Sequence, residues 1–113
     1  MQNSPATTPG QAIAAASMPV VEAKSVTATT SSVNDQATNV TILAANTDRI
    51  GATVYNDSTS TLYLKLGATA TTTDFTVKLL PGDYYEVPAK YAGIIDGIWS
   101  SDASGAARVT ELV

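Results

Sequence analysis

From about Pro19 to Val113 apolar and polar residues alternate with a period of two, the repeat of a strand with one face turned inward. In "RIGATVYN" Ile50, Ala52 and Val54 fall on one side, with Gly51, Thr53 and Tyr55 on the other. "LYLKLG" sets Leu62, Leu64 and Leu66 against Tyr63 and Lys65, and "DFTVKLL" sets Phe75, Val77 and Leu79 against Thr76, Lys78 and Leu80. "YYEVP", stopped by Pro88, "GIIDGIWSS" and "ARVTELV" complete the later runs. In the last, Val109, Glu111 and Val113 oppose Arg108, Thr110 and Leu112. Earlier in the chain "NVTILAAN" predicts a short strand ended by the turn-forming cluster Asn46 to Asp48. "VVEAKSVTATTSSV" predicts one long strand or two short ones with neither face cleanly apolar, which suits a sheet edge or pairing with another chain.

Turn signals separate these runs. "PGD" at Pro81 to Asp83 is the strongest, and "DASGAA" precedes the last strand. The polar stretch Asn56 to Thr61 is expected to be a solvated loop, closing a hairpin with an aliphatic inner face and with Tyr55, Tyr63 and Lys65 outside. Strands return roughly every 8–12 residues and no amphipathic helical repeat intervenes. "AIAAAS" favours helix but is too short to hold one alone in water. The expected fold is all-β, an antiparallel β-sandwich with Greek-key or jelly-roll wiring and seven or eight strands; a small barrel is the other way to close such strands.

Residues 1–19 read differently. They are nearly all Ala, Ser, Thr, Pro, Gln and Gly, with Ile13 the one large branched side chain before Pro19. Such a stretch buries too little surface to offset the entropy of ordering it, so it is expected to be an extended arm, either disordered or ordered against a neighbouring subunit. Residues 20–113 are expected to form the sandwich. The apolar run "QAIAAASMPVV" follows no basic residue and contains Pro19, so it reads as an ordinary segment and not as an export signal. No stretch approaches the roughly 18 apolar residues of a membrane-crossing helix, and no membrane partner is expected.

Composition narrows the chemistry. The 113 residues carry a formal net charge of -4, and the six basic ones (Lys24, Arg49, Lys65, Lys78, Lys90, Arg108) are far apart in sequence, which argues against a nucleic-acid partner. There is no Cys, hence no disulfide framework or thiolate metal site, and no His, the commonest general base. The seven Gly are dispersed and form no phosphate loop. Two carboxylates flanking a bond would be the remaining catalytic plan. Most acids, however, sit beside turn residues: Asp35, Asp48, Asp57, Asp74, Asp83 and Asp102 are expected to bond nearby backbone. Asp57 with its neighbouring hydroxyls falls far short of a calcium ligand set. Asp96, inside "IIDGIW", either points outward beside Gly97 or pairs with Arg108 or Lys90, the pairing being preferred. No catalytic, cofactor-binding or metal-ligating residue is therefore assigned, and the chain is read as a non-enzyme. Tyr84 and Tyr85 must face opposite sides of their strand, so one of them is exposed or interfacial. Trp99 is expected to pack in the core or an interface.

Residues 39–113, about two-thirds of the chain, resemble small virion proteins of tailed bacteriophages, the likeness lying in "RIGATVYNDSTSTLYLKLG", "PGDYYEVP" and "IDGIWSSDASGAARVTEL". The resemblance implies an Ala- and Thr-rich sandwich that assembles as a symmetric homo-oligomer, dimer or trimer. It further implies a decoration or cement protein, made in the host cytoplasm and bound to the major capsid protein on the capsid exterior. The expected contact residues are Pro19, Val20, Val21 and Val26 from the arm and first strand, with Tyr85 and Tyr91 as exposed aromatics. The competing expectations are a carbohydrate- or receptor-binding fibre module, a neck, tail or baseplate component with the same sandwich, and a two-carboxylate hydrolase.

Overall fold

Period-two alternation becomes eight strands in the computed structural model, which describes residues 24–113. They are β1 (Ala28–Asn34), β2 (Val40–Leu43), β3 (Gly51–Ser58), β4 (Leu62–Leu66), β5 (Val77–Leu79), β6 (Tyr84–Val87), β7 (Ile95–Trp99) and β8 (Gly105–Leu112). Among the described residues there is no helix. The strands form two antiparallel sheets of four, sheet I in the order β1-β8-β3-β6 and sheet II in the order β2-β7-β4-β5. The first strand pairs with the last, the second with the seventh, the third with the sixth and the fourth with the fifth. A chain doubled on itself and then rolled gives this wiring, and it is that of a jelly roll. The expected all-β sandwich is thus the observed fold.

The side-chain period decides what lies between the sheets. Ala52 and Val54 of β3, Ala107 and Val109 of β8 and Val87 of β6 point inward from sheet I. They meet Ile42, Leu62, Leu64, Leu79, Ile95 and Trp99 from sheet II. One sheet therefore supplies mostly small side chains and the other large ones, so the two faces fill each other's space. Burying each Leu or Ile contributes about 1.5–3 kcal/mol, and this is the main term holding the layers together. Gly97 of β7 is part of the fit: a Cβ there would lie 2.9 Å from both Ile42 Cγ1 and Leu62 Cδ1.

Of the run "VVEAKSVTATTSSV", Ala28 to Val33 lie in β1, Lys24 to Thr27 precede its ladder with β8, and Val20 to Ala23 fall outside the described residues. Three local expectations are corrected. Tyr55 to Gly67 is not a hairpin, because β3 belongs to sheet I and β4 to sheet II, and Thr59 to Thr61 carry the chain across. Nor is Asn56 to Thr61 a solvated loop, since Asn56, Ser58 and Ser60 are buried. "DFTVKLL" shortens to β5, and Phe75 leaves the inner face to meet the outer-face Tyr63 edge-on, ring centroids 5.0 Å apart. The "PGD" turn is where expected: Gly82 has φ 88°, Asp83 N–H donates to Leu80 O at 2.8 Å, and Leu80 N–H donates to Asp83 Oδ2 at 2.9 Å.

Candidate interaction surface

The outward face of sheet I carries a row of residues in cross-strand register: Tyr84 on β6 opposite Tyr55 on β3, Tyr55 opposite Arg108 on β8, and Arg108 opposite Ser32 on β1. Tyr55 and Tyr84 are 40% and 58% exposed, the second the largest exposure of any described aromatic. The Arg108 guanidinium is held by Nε to Asp57 Oδ2 at 2.9 Å and by Nη1 to Ser32 Oγ at 3.0 Å. Both members of that ion pair are half exposed, so it adds under about 1 kcal/mol to stability. What it does fix is direction: the guanidinium is tethered at both ends on the sheet surface, in the row that Tyr55 and Tyr84 continue. Asp57 was expected to serve a turn; it lies instead on β3, because that strand continues past Asn56.

Of the contact residues expected from sequence, Val26 is 94% exposed, while Pro19, Val20 and Val21 lie outside the described residues. Tyr85 and Tyr91 are not exposed aromatics. Both are half-buried against the core, and Tyr91 Oη donates to Ile94 O at 2.7 Å. The reason is strand parity: Tyr85 is in phase with the buried Val87, and Tyr84 with the exposed Glu86. The signal was present in "YYEVP", where Val87 marks the inward side.

Several polar residues prove to be structural. Arg49 is buried and ties one end of the sandwich together. Its Nε donates to Glu111 Oε2 at 2.9 Å, and its other nitrogens donate to the carbonyls of Ala44, Tyr91 and Gly93. At the other end Asn56 Nδ2 donates to Ser60 O and Leu79 O, both at 2.8 Å. The expected pairing of Asp96 with Arg108 or Lys90 is overturned: Asp96 faces outward from sheet II, whereas Arg108 faces outward from sheet I, on the opposite side of the molecule. Asp96 is buried all the same, because the β4–β5 loop folds over it. Ala70, 1% exposed, donates its N–H to Asn39 Oδ1 at 2.8 Å, and Asn39 Nδ2 donates to Asp96 Oδ2 at 3.1 Å, leaving Asp96 Oδ1 without a partner. Lys65, directly across the ladder from Asp96, reaches up to Asp74 Oδ2 at 2.7 Å and pins the loop. Asp83 and Asp102 take the backbone N–H of Leu80 and Ala37, the turn and loop roles expected of them.

A shallow cleft of ≈ 400 Å³ lies between the end of β6 and the start of β3, lined by Ile50, Thr53, Glu86, Pro88 and Leu112 among others, with Glu86 its one carboxylate. Acid–base cleavage of a glycosidic bond asks for two. Among the described residues no three acidic side chains are grouped to hold a metal ion. The geometry that does converge is the row of Tyr84, Tyr55, Arg108 and Ser32, in which Tyr and Arg are the residue types that dominate the energetics of protein contacts. Comparison with family models, with curated proteins and with solved structures gives no match for this chain.

Proposed function

We propose that this chain is a structural protein of a tailed-bacteriophage virion, a decoration or cement protein that binds the major capsid protein on the outside of the capsid. The observation that carries the reading is the tyrosine and arginine row on sheet I. It is a flat, pre-positioned face on a rigid sandwich, suited to lying against another protein surface and offering no enclosed volume for a small substrate. The resemblance of residues 39–113 to small virion proteins supports the choice of partner. Such a protein stabilises a particle by bridging neighbouring capsid subunits, so that binding free energy is added at their joints. The test is quantitative mass spectrometry of purified particles. Hundreds of copies support a coat component, a dozen or fewer move the protein to the neck, tail or baseplate, and none removes the virion reading.

A second reading has one observation in its favour. Tyr55 and Tyr84 stand next to Asp57, and exposed rings beside a carboxylate are the equipment of a carbohydrate- or receptor-binding module. A glycan array separates the two: saturable sugar binding lost in Tyr84→Ala favours the fibre-type module.

A further inference from the structure

Edge strands expose unpaired N–H and C=O groups, and folded proteins guard them with short length, charge, Pro or bulges. Three of the four edges here are guarded. β6 has four residues including Glu86 and is followed by Pro88; β5 has three with Lys78 at the centre; β2 has four, with its register broken between Thr41 and Leu43. β1 is the exception. Its seven residues, Ala-Thr-Thr-Ser-Ser-Val-Asn, include no charge, no Pro and no Gly, and its register with β8 is unbroken from Ala28 to Asn34. All are exposed except the half-buried Val33.

The ladder shows which groups the open edge offers. Val113 N–H donates to Thr27 O at 3.1 Å and Asp35 N–H to Gly105 O at 3.3 Å, on the same register as the β1–β8 pairs. In an antiparallel ladder alternate residues turn both backbone groups to the same neighbour. Thr29, Ser31 and Val33 therefore face β8, and Ala28, Thr30, Ser32 and Asn34 turn N–H and C=O to the free side. Among the described residues no strand takes them. The chain just before β1 does not double back along this edge: Ser25 Oγ donates to Val113 O at 2.9 Å, so Ser25 to Thr27 continue the line of β1 beside the end of β8.

We infer that β1 is a self-pairing edge, and that two copies of this chain join β1 to β1 antiparallel about a two-fold axis near Thr30, making one eight-stranded sheet from two copies of sheet I. A neutral edge sets no like charges against a second copy of itself, and the flanking charges favour the antiparallel direction. β1 is neutral, with Lys24 before it and Asp35 after it. With the axis at Thr30, Lys24 of each copy comes opposite Gln36 of the other, beside its Asp35, whereas parallel pairing would set like charges together. An isologous contact of this kind closes at two copies, so an edge that would otherwise propagate aggregation is used once. The pairing is a property of the sheet and holds wherever the protein works.

The chain has no Cys, so Thr30→Cys introduces a single thiol. The axis places Thr30 opposite its own copy at the roughly 5.5 Å Cα spacing of a hydrogen-bonded pair, within reach of a disulfide. Mild oxidation of the full-length variant is expected to give a covalent dimer, and failure to cross-link overturns the proposal. In the unmodified full-length protein, hydrogen exchange followed by NMR is expected to show the amides of Thr30 and Ser32 gaining protection as concentration rises, with Ser31 and Val33 protected throughout. Protection of Thr30 and Ser32 that is absent at all concentrations, or unchanged by dilution because residues 1–23 of the same chain cover the edge, overturns it. Sedimentation of Thr30→Pro, which removes one free-side N–H and leaves the β8 ladder whole, is expected to show a folded monomer; a folded dimer overturns it.

Discussion

Trp99 Nε1 donates to Asn56 Oδ1 at 3.2 Å with both residues buried, and the bond runs between the two sheets, from β7 of one to β3 of the other. Asn56 also holds Ser60 O and Leu79 O and accepts from Ser58 Oγ, so one amide satisfies four groups from three stretches of chain. Asn56→Leu keeps much of the volume but strands the indole N–H and takes the amide donor from Leu79 O, each costing about 1–3 kcal/mol when left unpaired, while Ser60 O keeps Ser58 Oγ at 3.0 Å. Trp99→Phe removes a donor together with its own need for a partner, and Asn56 Oδ1 still accepts from Ser58. Urea unfolding should show Asn56→Leu as the more damaging change by at least about 2 kcal/mol. Equal costs would mean that the amide network is not holding the sheets.

Arg49 and Arg108 both bond a carboxylate at 2.9 Å, yet their environments differ: the Arg49 side chain is 0% exposed and that of Arg108 is 53% exposed. Arg49→Met takes the guanidinium from three carbonyls and leaves Glu111 with only Asn46 Nδ2 at 3.4 Å, a loss of about 3–5 kcal/mol for a broken buried pair. Arg108→Met should cost less than about 1 kcal/mol, and adding salt should shrink even that. Denaturation midpoints of the two variants at low and high salt provide the check, and comparable losses would show that burial does not set the scale here.

The alternation that assigned Ala52, Val54, Leu62, Leu64, Val109 and the turn at Gly82 was readable because each depends on residues within a few positions. What was missed depends on distant partners. Asn56, Ser58 and Ser60 look like loop residues until Trp99 arrives from 43 positions away with an N–H to place. Asp96 gave no sign of Asn39, 57 positions earlier, because the two meet only when the β4–β5 loop closes over sheet II. The exposed row was half readable: parity fixes Tyr84 outside and Tyr85 inside, but that Tyr55, Arg108 and Ser32 align with Tyr84 follows from the jelly-roll order of β6, β3, β8 and β1.

Three glycines should respond to Ala in a definite order. At Gly105, with φ 119°, a Cβ would sit 2.2 Å from the Asp57 carbonyl oxygen, which is backbone and cannot yield. At Gly97 the contacts are side-chain tips, so overpacking costs about 1–3 kcal/mol. At Gly82, φ 88° with nothing within 4 Å, only backbone strain of about 1 kcal/mol applies. Because Ile42 supplies two of the Gly97 contacts, Ile42→Ala should cost less in the Gly97→Ala background than alone; strict additivity would place the clash elsewhere.

The proposed docking face predicts a split between folding and attachment. Tyr55 and Tyr84 are outward and surround no cavity, so Tyr55→Ala and Tyr84→Ala should each shift stability by about 0.5 kcal/mol or less, the usual range for surface positions. As exposed aromatic anchors in one row with an oriented Arg, each should weaken binding to particles by about 2 kcal/mol, some thirtyfold in dissociation constant. Deleting Met1 to Ser17 should likewise leave residues 24–113 folded, by circular dichroism and thermal unfolding, while lowering occupancy on particles if the arm reaches a neighbouring subunit. Both are read by adding purified protein to particles that lack it and counting bound copies over a concentration series. Full occupancy by the tyrosine variants would detach function from this face, and full occupancy by the truncated chain would show that residues 1–17 contribute nothing to attachment.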